Sequence, residues 1–268
     1  MSVGLEVFNS NGVSIIDTSY PNYGLLGKWD MGGLPRATIP GAGTYQYRYL
    51  ELTNRFAPVL FFNCVGLSSS VNIVTVQVTG STFRFYFEEY RMASEGGIVT
   101  VYAFDLMSSI LPNGSSKGVG IESYKPDGSL IFSSTIKPLR PVWQSKVASV
   151  KYVQSQGGYV AYAGDNGTNG HNTGGAYNDT WVVDGIPKGI TIAANSSRFR
   201  YGASGSSTEY TYGDALFERI RVLNGAEPSV VLQPFGTGIG GEEFGGFLGT
   251  QLDYKYQPVI TVIDVTGY

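Results

Sequence analysis

The sequence predicts an all-β fold made of two tandem, related β-sandwich domains. The 268 residues include 37 Gly and 12 Pro, which interrupt long helices. Charged residues make up 15% of the chain and aromatic residues 13%, a mixture that favours half-buried sheet surfaces. One hairpin-like segment is present twice, and this repeat divides the chain into two halves.

The repeated segment begins at Gly4 and again at Gly120. Each copy has two short apolar strands around an Asn-Gly or Asp-Gly pair, which favours a tight hairpin turn. The copies align without a gap, and the positions of the same type are Gly4/Gly120, Leu5/Ile121, Glu6/Glu122, Phe8/Tyr124, Asn11/Asp127, Gly12/Gly128, Ile15/Ile131, Ile16/Phe132 and Thr18/Ser134. We therefore predict two equivalent hairpins, each opening one domain.

Later parts of the two halves are also similar. An apolar, β-branched run precedes Asp105, and a similar run precedes Asp264. A further alignment matches residues 52–61 with residues 223–231, since each segment continues through a proline into an apolar run. These similarities predict a first domain over residues 1–112 and a second over 118–268, joined by a turn-rich linker.

The second domain is predicted to contain a long Gly/Asn/Tyr-rich insertion within about residues 144–214. Its most polar part, residues 157–175, has few apolar side chains and is expected on the surface. Tyr and Trp offer flat faces that stack on sugar rings or form protein interfaces. The predicted ligand-binding surface aromatics are Tyr159, Tyr162, Tyr177 and Trp181. The alternative is that each of these side chains packs in the core or on a sheet.

Alternating apolar residues predict three strands in the first half, at residues 44–49, 71–73 and 82–87. In the last of these strands, Phe83, Phe85 and Phe87 should share one face. The alternation changes face at Tyr49–Leu50 and at Ile73–Val74, which predicts a β-bulge or sheet corner at both places.

Residues 214–225 fit either a helix or a strand. An Asp at the start, a Gly at the end and apolar residues at helical spacing favour a helix. The alignment of this segment with residues 45–52 favours a strand, and a strand is our prediction. Further strands of the second half are predicted within residues 145–154, 180–184, 189–193, 198–201 and 209–212.

The reactive residue types do not form a recognisable catalytic or metal-binding pattern. The single Cys64 and the single His171 exclude an internal disulfide and a Cys/His metal cluster. Cys64 lies in an apolar run and is predicted to be buried, and His171 is interpreted as an exposed loop residue. The Gly-rich string at 236–241 is followed by Glu242 and Glu243 instead of a good helix, so it does not suit a phosphate. We predict no catalytic residue, no metal site and no cofactor.

Carboxylate pairs leave a glycan hydrolase as an alternative. Adjacent strand residues point to opposite faces, so neither Glu88 with Glu89 nor Glu242 with Glu243 forms a dyad by itself. The other candidate carboxylates are Asp165, Asp179 and Asp184. The same loops offer oxygen ligands for calcium, but they lack the twelve-residue acidic loop of an EF-hand.

The charge pattern argues against two classes of partner. With 18 basic and 21 acidic residues, a net charge of −3 and no run of like charges, the chain lacks the basic surface that nucleic acid or anionic lipid requires. No signal-like start and no membrane-length apolar stretch is seen. We therefore expect no nucleic acid and no membrane insertion, and a chain kept in a cytoplasm unless it leaves within a larger assembly.

Residues 2–12, followed by Ile15-Ile16-Asp17-Thr18, resemble the start of a family of uncharacterised structural proteins of tailed bacteriophages. In that family a Gly-Leu-x-Val-aromatic hairpin opens a β domain that closes on a Val-Tyr-Val-Phe-like strand, and residues 99–104 resemble that strand. The resemblance covers the first domain and the edges of the second. The tandem copy and its insertion depart from the single-domain members. No catalytic residues are known for the family, so none is assigned here.

The resemblance implies a virion structural protein of the tail tip, baseplate or fibre region, involved in assembly and host-surface attachment. Such a protein is assembled in the host cytoplasm, and its expected partners are other tail proteins, further copies of itself, and a glycan or protein receptor on the host surface. The first domain is expected to dock onto the particle and the insertion to face outward. The alternatives are a free-standing carbohydrate-binding module that uses the aromatic cluster, and a tail-associated glycan hydrolase.

Overall fold

The computed structural model describes residues 6–8, 14–17, 22–41, 44–65, 70–89, 98–111, 119–125, 127–148, 151–153, 158–160, 162, 170–172, 180–183, 185–205, 212–236, 242–243, 249–252 and 257–268. Nearly all of its elements are strands, with one 3₁₀ turn (Met31–Gly33) and one short helix, α1 (Met107–Ile110).

The strands of the first half are β1 (Glu6–Phe8), β2 (Ser14–Asp17), β3 (Tyr23–Asp30), β4 (Arg36–Thr38), β5 (Gln46–Leu52), β6 (Val59–Val65), β7 (Val71–Thr79), β8 (Thr82–Glu89) and β9 (Ile98–Leu106). The strands of the second half are β10 (Glu122–Tyr124), β11 (Leu130–Ser133), β12 (Pro141–Lys146), β13 (Lys151–Val153), β14 (Gly158–Val160), β15 (Gly170–Asn172), β16 (Trp181–Val183), β17 (Ile192–Ser196), β18 (Tyr201–Gly205), β19 (Tyr212–Leu223), β20 (Ser229–Gly236), β21 (Glu242–Glu243), β22 (Gly249–Leu252) and β23 (Val259–Asp264).

These strands form two large sheets and two separate hairpins. The six-stranded sheet has the order β12-β23-β17-β6-β9-β3. The thirteen-stranded sheet follows the path β13-β14-β22-β18-β19-β7-β8-β5-β4, with β15, β16, β20 and β21 beside it. Buried side chains of both sheets meet in one large core, which includes Phe62 and Val262 from the smaller sheet and Phe87 and Ile220 from the larger. The prediction of an all-β sandwich fold is confirmed.

The two repeated segments form hairpins of the same register. Glu6 lies opposite Asp17 in the first hairpin, and 116 residues later Glu122 lies opposite Ser133 in the second. Both hairpins also shift register by one residue at the corresponding place. Gly128 has a φ of +85° in the turn of the second hairpin, a conformation that glycine adopts without strain. The predicted equivalence of the two hairpins is confirmed.

The equivalence continues into the strands that follow. β3 pairs with β9 as β12 pairs with β23, and in both pairs the first strand contains a bulge. The register shifts between Leu25 and Gly27 in β3, and between Pro141 and Trp143, again 116 residues later, in β12. The two halves therefore share an opening hairpin, a bulged strand and a closing strand.

The alignment of residues 52–61 with residues 223–231 is wrong. β6 lies beside β9 in the six-stranded sheet, whereas β20 lies between β16 and β19 in the other sheet. The counterpart of β6 is β17, which pairs with the closing strand β23 as β6 pairs with β9. A short apolar run after a proline has the same appearance in either layer, because both layers bury one face. Since β17 falls within residues 144–214, the additional length of the second half is not one continuous excursion.

The two halves meet edge to edge. β17 pairs with β6 at Ala194 opposite Phe62, and β19 pairs with β7 at Ile220 opposite Val71. Each half thus contributes three strands to the six-stranded sheet. The repeats predicted as tandem domains share both sheets and the main core, and the predicted boundary between residues 112 and 118 lies outside the described residues.

The structure agrees with three predictions about single strands. Residues 214–223 belong to β19, so a strand is the correct alternative for the ambiguous segment. Phe85 and Phe87 are buried and Phe83 packs against the same core, which confirms that they share a face. The bulge predicted at Ile73–Val74 is confirmed by a register shift between Ile73 and Thr75.

The bulge or corner predicted at Tyr49–Leu50 is wrong, because β5 pairs with β8 there without a shift. Tyr49 lies next to Leu50 and therefore on the opposite, polar face of the sheet. On that face its ring lies 4.8 Å from the guanidinium carbon of Arg84 and 5.9 Å from the ring of Tyr86. The Tyr49 side chain is partly apolar and partly polar. A pattern that counts it as apolar therefore shows a change of face that β5 does not make.

Candidate functional site

Two of the four predicted ligand-binding aromatics lie inside the protein. Tyr162 and Trp181 have no exposed surface, belong to the main core and have ring centroids 6.2 Å apart. Trp181 lies on β16 opposite Leu232 of β20. The prediction that these two are surface residues is wrong, because large rings gain free energy from burial and the Tyr162 hydroxyl has a buried partner. The side chain of Tyr159, and Tyr177 as a whole, lie outside the described residues.

Tyr162 contacts a buried ion pair between Arg200 and Glu218. The Arg200 Nη2 atom lies 2.7 Å from Glu218 Oε1, and both side chains are fully buried. The Tyr162 hydroxyl donates to the same oxygen at 3.0 Å, and the Arg200 guanidinium carbon lies 5.3 Å from the centre of the tyrosine ring. The Arg200 backbone N–H donates to Glu218 Oε2 at 3.1 Å, and its Nη1 donates to the Ala148 carbonyl at 3.3 Å.

This network is built to hold charge within the core. Burial acts to lower the pKa of Arg200, but the charge of Glu218 and the contacts of Tyr162 outweigh it, so the pKa of Arg200 is raised. Arg200 therefore stays protonated, and both Glu218 oxygens accept hydrogen bonds from within the chain. A general acid or base must reach its substrate, and a fully buried, fully engaged carboxylate does not. The network therefore has a structural role, in which it joins the segments that carry Tyr162, Arg200 and Glu218.

Sequence reasoning did not find this network, although one signal was present. From Ala215 to Leu223, β19 is apolar except for three charged residues, Glu218, Arg219 and Arg221. Charged residues in the middle of a buried strand require partners of opposite charge. The identity of those partners depends on the arrangement of the sheets, which the sequence does not give.

A second ion pair joins the two halves. Arg219 Nη2 lies 3.1 Å from Glu88 Oε2, and the two side chains are 1% and 17% exposed. Asn72 donates to the same oxygen at 3.5 Å. Because Glu218 and Arg219 are neighbours on β19, the two ion pairs lie on opposite faces of the sheet. Glu88, a candidate carboxylate for hydrolysis, is thus engaged in a contact between the halves.

The remaining carboxylates considered for hydrolysis lie outside the described side chains. They are Glu89, Asp165, Asp179, Asp184, Glu242 and Glu243.

Asp105 is a buried carboxylate at the end of β9. Its donors are the backbone N–H groups of Phe56 and Ala57 (3.0 Å each) and Leu106 (2.8 Å), and the Ser109 hydroxyl (2.7 Å). Burial alone would raise the pKa of Asp105, but these hydrogen bonds outweigh it and the pKa is lowered. The corresponding residue of the second half, Asp264, accepts from the Thr266 N–H at 2.7 Å and lies 3.5 Å from Arg140. Both aspartates hold the chain in place near the end of the closing strand of a repeat, β9 or β23.

Cys64 is 1% exposed, which confirms the prediction of a small buried side chain. Burial raises the pKa of its thiol to about 12, so the nucleophilic thiolate is not formed near neutral pH. The interpretation of His171 as a loop residue is wrong, because its backbone lies in β15 opposite Val182. Its side chain lies outside the described residues.

In the described part of the chain, no group of three or more His, Cys, Asp or Glu side chains is placed to hold a metal ion. No helix in the same residues has the length and apolar character needed to cross a membrane. Comparison with protein-family models finds no matching family, and comparisons with curated proteins and with solved structures find no match.

Exposed apolar side chains form two candidate contact surfaces in the described residues. One lies on β7, where Val76 and Val78 are 40% and 56% exposed. The other lies at the second hairpin, where Ile121 and Tyr124 are 64% and 42% exposed and Val119 is fully exposed. Exposed apolar side chains grouped in this way are candidates for contacts with another protein.

Proposed function

We propose that this chain is a structural protein of a bacteriophage tail, in the tip, baseplate or fibre region, with a role in assembly and host-surface attachment. One observation supports the proposal above the others. The segments that resemble the phage family are the opening hairpin and the closing strand, and these are the segments that recur in both halves with one register. A unit used twice in one chain suits an assembly built from repeated contacts.

The buried charged groups of the fold support the same role. The Arg200–Glu218 and Arg219–Glu88 pairs and the Asp105 cluster connect segments of the chain, and each is largely or fully withdrawn from solvent. Charged groups that are paired inside the fold suit a structural component. Host attachment would then use exposed side chains, such as those at the second hairpin, and the insertion residues Tyr159 and Tyr177.

The tail location is tested by immunogold electron microscopy with antibodies raised against the purified chain. The sample is the purified particle of the phage that encodes the chain, and antibodies against its major capsid protein serve as the control. We expect gold label at one end of the tail. The proposal is contradicted if purified particles carry no label and the chain is found only in the soluble lysate.

Host attachment is tested separately by competition. Purified chain, added to host cells before the phage, is expected to slow phage adsorption in a dose-dependent manner. The heat-unfolded chain is the control. Adsorption that is unchanged at saturating chain would limit the role to assembly.

A further inference from the structure

Among the described strands, the second edge of β7 is paired only near the start of the strand. β7 pairs with β8 from end to end, whereas its pairing with β19 is limited to Val71 opposite Ile220. Among the described strands, residues 75–79 have no partner strand on this second edge. The exposed Val76 and Val78 lie in this open part.

An open edge is a template for a further strand, and most proteins protect such edges with charged residues, proline or bulges. β7 contains no charged residue and no proline from Val71 to Thr79. Its bulge lies between Ile73 and Thr75, before the open part begins. Residues 75–79 are therefore free of these protective features.

The sequence of this edge reads the same in both directions, Thr75-Val76-Gln77-Val78-Thr79. Two such strands in antiparallel register about Gln77 place Thr75 opposite Thr79 of the second copy, and Val76 opposite its Val78. Threonine and valine pairs of this kind stabilise neighbouring strands. A two-fold contact uses the same patch on both copies, and a palindromic strand is suited to it.

The pairing also continues an apolar row of the sheet. Residues opposite one another on neighbouring strands share a face, and Leu50, Phe85 and Val76 form one row while Leu52, Phe83 and Val78 form the next. Within the rows the exposed fraction rises from 5% at Leu50 to 40% at Val76, and from 6% at Leu52 to 56% at Val78. In the pair, each row of one copy would meet the other row of the second copy, and the valines would be covered.

The opposite face of the sheet is compatible with the same pairing. Its row consists of Glu51, Arg84 and Gln77, in which Arg84 Nε donates to Glu51 at 2.7 Å. Gln77 accepts a hydrogen bond from the Tyr86 hydroxyl at 3.1 Å. In the pair, Gln77 meets the uncharged Gln77 of the second copy, and both Gln77 side chains separate the two arginines. No like charges are directly opposed.

We propose that β7 pairs antiparallel with β7 of a second copy of this chain, about a two-fold axis at Gln77. A contact of five residues on each side is small, so the isolated pair is weak and gains strength where many copies are held in one assembly. The inference deepens the assembly role proposed above. Its test uses the isolated chain, so its failure leaves the tail location to be decided by the immunogold experiment.

The first test is a charge exchange at the axis. Gln77→Lys and Gln77→Glu each place two like charges opposite one another, whereas an equimolar mixture of the two variants places opposite charges there. In sedimentation velocity runs over a concentration series, we expect the wild-type chain to dimerise. Each variant alone should dimerise at least about tenfold more weakly than the wild-type chain. The equimolar mixture should regain the wild-type dimer.

Gln46→Lys and Gln46→Glu are the matched controls, since Gln46 is exposed on β5 of the same sheet and away from the β7 edge. They should leave dimerisation unchanged, and circular dichroism melting verifies that all variants fold. A wild-type chain that stays monomeric at every concentration overturns the proposal. A dimer that resists both Gln77 variants, or one that their mixture does not restore, also overturns it.

The second test determines the register of the two paired β7 strands. Directly opposed Cα atoms of an antiparallel pair lie about 4.5–5.5 Å apart, which is within the reach of a disulfide. Gln77→Cys should therefore cross-link two copies under mild oxidation, while Gln46→Cys should not. The buried Cys64, with its raised pKa, does not compete. A Gln77→Cys chain that dimerises without cross-linking contradicts the register.

Discussion

Donors from within the chain bind three buried or largely buried carboxylates, those of Glu218, Glu88 and Asp105. Glu218 binds Arg200 and Tyr162, Glu88 binds Arg219, and Asp105 binds backbone N–H groups and Ser109. Removing one partner of a buried charge costs more free energy than the contact itself supplies, because the other charge is left without compensation. These residues are therefore the places where single substitutions should affect stability most.

Tyr162→Phe tests whether the tyrosine is a buried structural residue. The variant keeps the ring in the core and removes the donor to Glu218 Oε1, so we expect the free energy of unfolding to fall by about 1–2 kcal/mol. Urea denaturation followed by fluorescence measures this change. The control is Tyr124→Phe, because the Tyr124 side chain is 42% exposed and its hydroxyl donates to Glu122 of the same strand. This control should have little effect on stability. Equal effects of the two variants would argue against the buried network.

Asp105→Asn tests the carboxylate cluster through its pH dependence. The pKa of Asp105 is lowered below its ordinary value of 3.8, so the folded state favours the charged form. The resulting stabilisation is present at pH values above about 4 and is lost as the pH falls through the lower, folded-state pKa. At pH 7 we expect the variant to lose about 2–4 kcal/mol of unfolding free energy.

The difference between wild type and Asp105→Asn should narrow as the pH is lowered below about 4, in urea titrations at each pH. Asp127→Asn is the control, because Asp127 is an exposed turn residue that binds Ser129 within its own hairpin. It should leave stability at pH 7 nearly unchanged. A difference for Asp105→Asn that stays constant from pH 7 to pH 3 would show that the charge of Asp105 is not the cause.

At the scale of elements, local patterns predicted strands well because a strand is defined by local alternation. The Asn-Gly and Asp-Gly pairs predicted two hairpins, and the run of Phe83, Phe85 and Phe87 predicted one buried face of β8. Patterns failed where two environments favour the same residues. An apolar run suits either layer of a sandwich, so the sequence could not distinguish β20 from a counterpart of β6.

The candidate site residues were harder to predict than the strands for a physical reason. Whether Tyr162 and Trp181 bind a ligand or fill the core depends on what covers them, and they are covered by segments distant in the chain. The hydroxyl of Tyr162 reaches Glu218, and Trp181 lies opposite Leu232. Composition around an aromatic residue describes its neighbours in sequence, which are not the residues that bury it.

At the scale of the whole molecule, the two halves interlock at several places. The segments that follow the two opening hairpins pair with each other, since Leu25 N–H donates to the Lys137 carbonyl at 2.8 Å and Leu139 N–H donates to the Tyr23 carbonyl at 2.9 Å. The edges of β6 and β17 meet in one sheet, and the Arg219–Glu88 pair crosses between the halves. Each half therefore covers surfaces of the other half that a free domain would have to cover by itself.

This interlocking predicts that neither half folds alone. Expressing residues 1–118 and residues 119–268 separately would expose the edges of β6 and β17, uncover Phe62 and Ala194, and leave Arg219 without Glu88. We expect each fragment to lack a cooperative thermal transition by circular dichroism, and a co-expressed pair to regain one. As a control, the intact chain with a protease site placed in residues 112–118 should stay folded after cleavage, because the contacts and not the linker hold the halves together. A single fragment that melts cooperatively near the temperature of the intact chain would instead establish two independent domains.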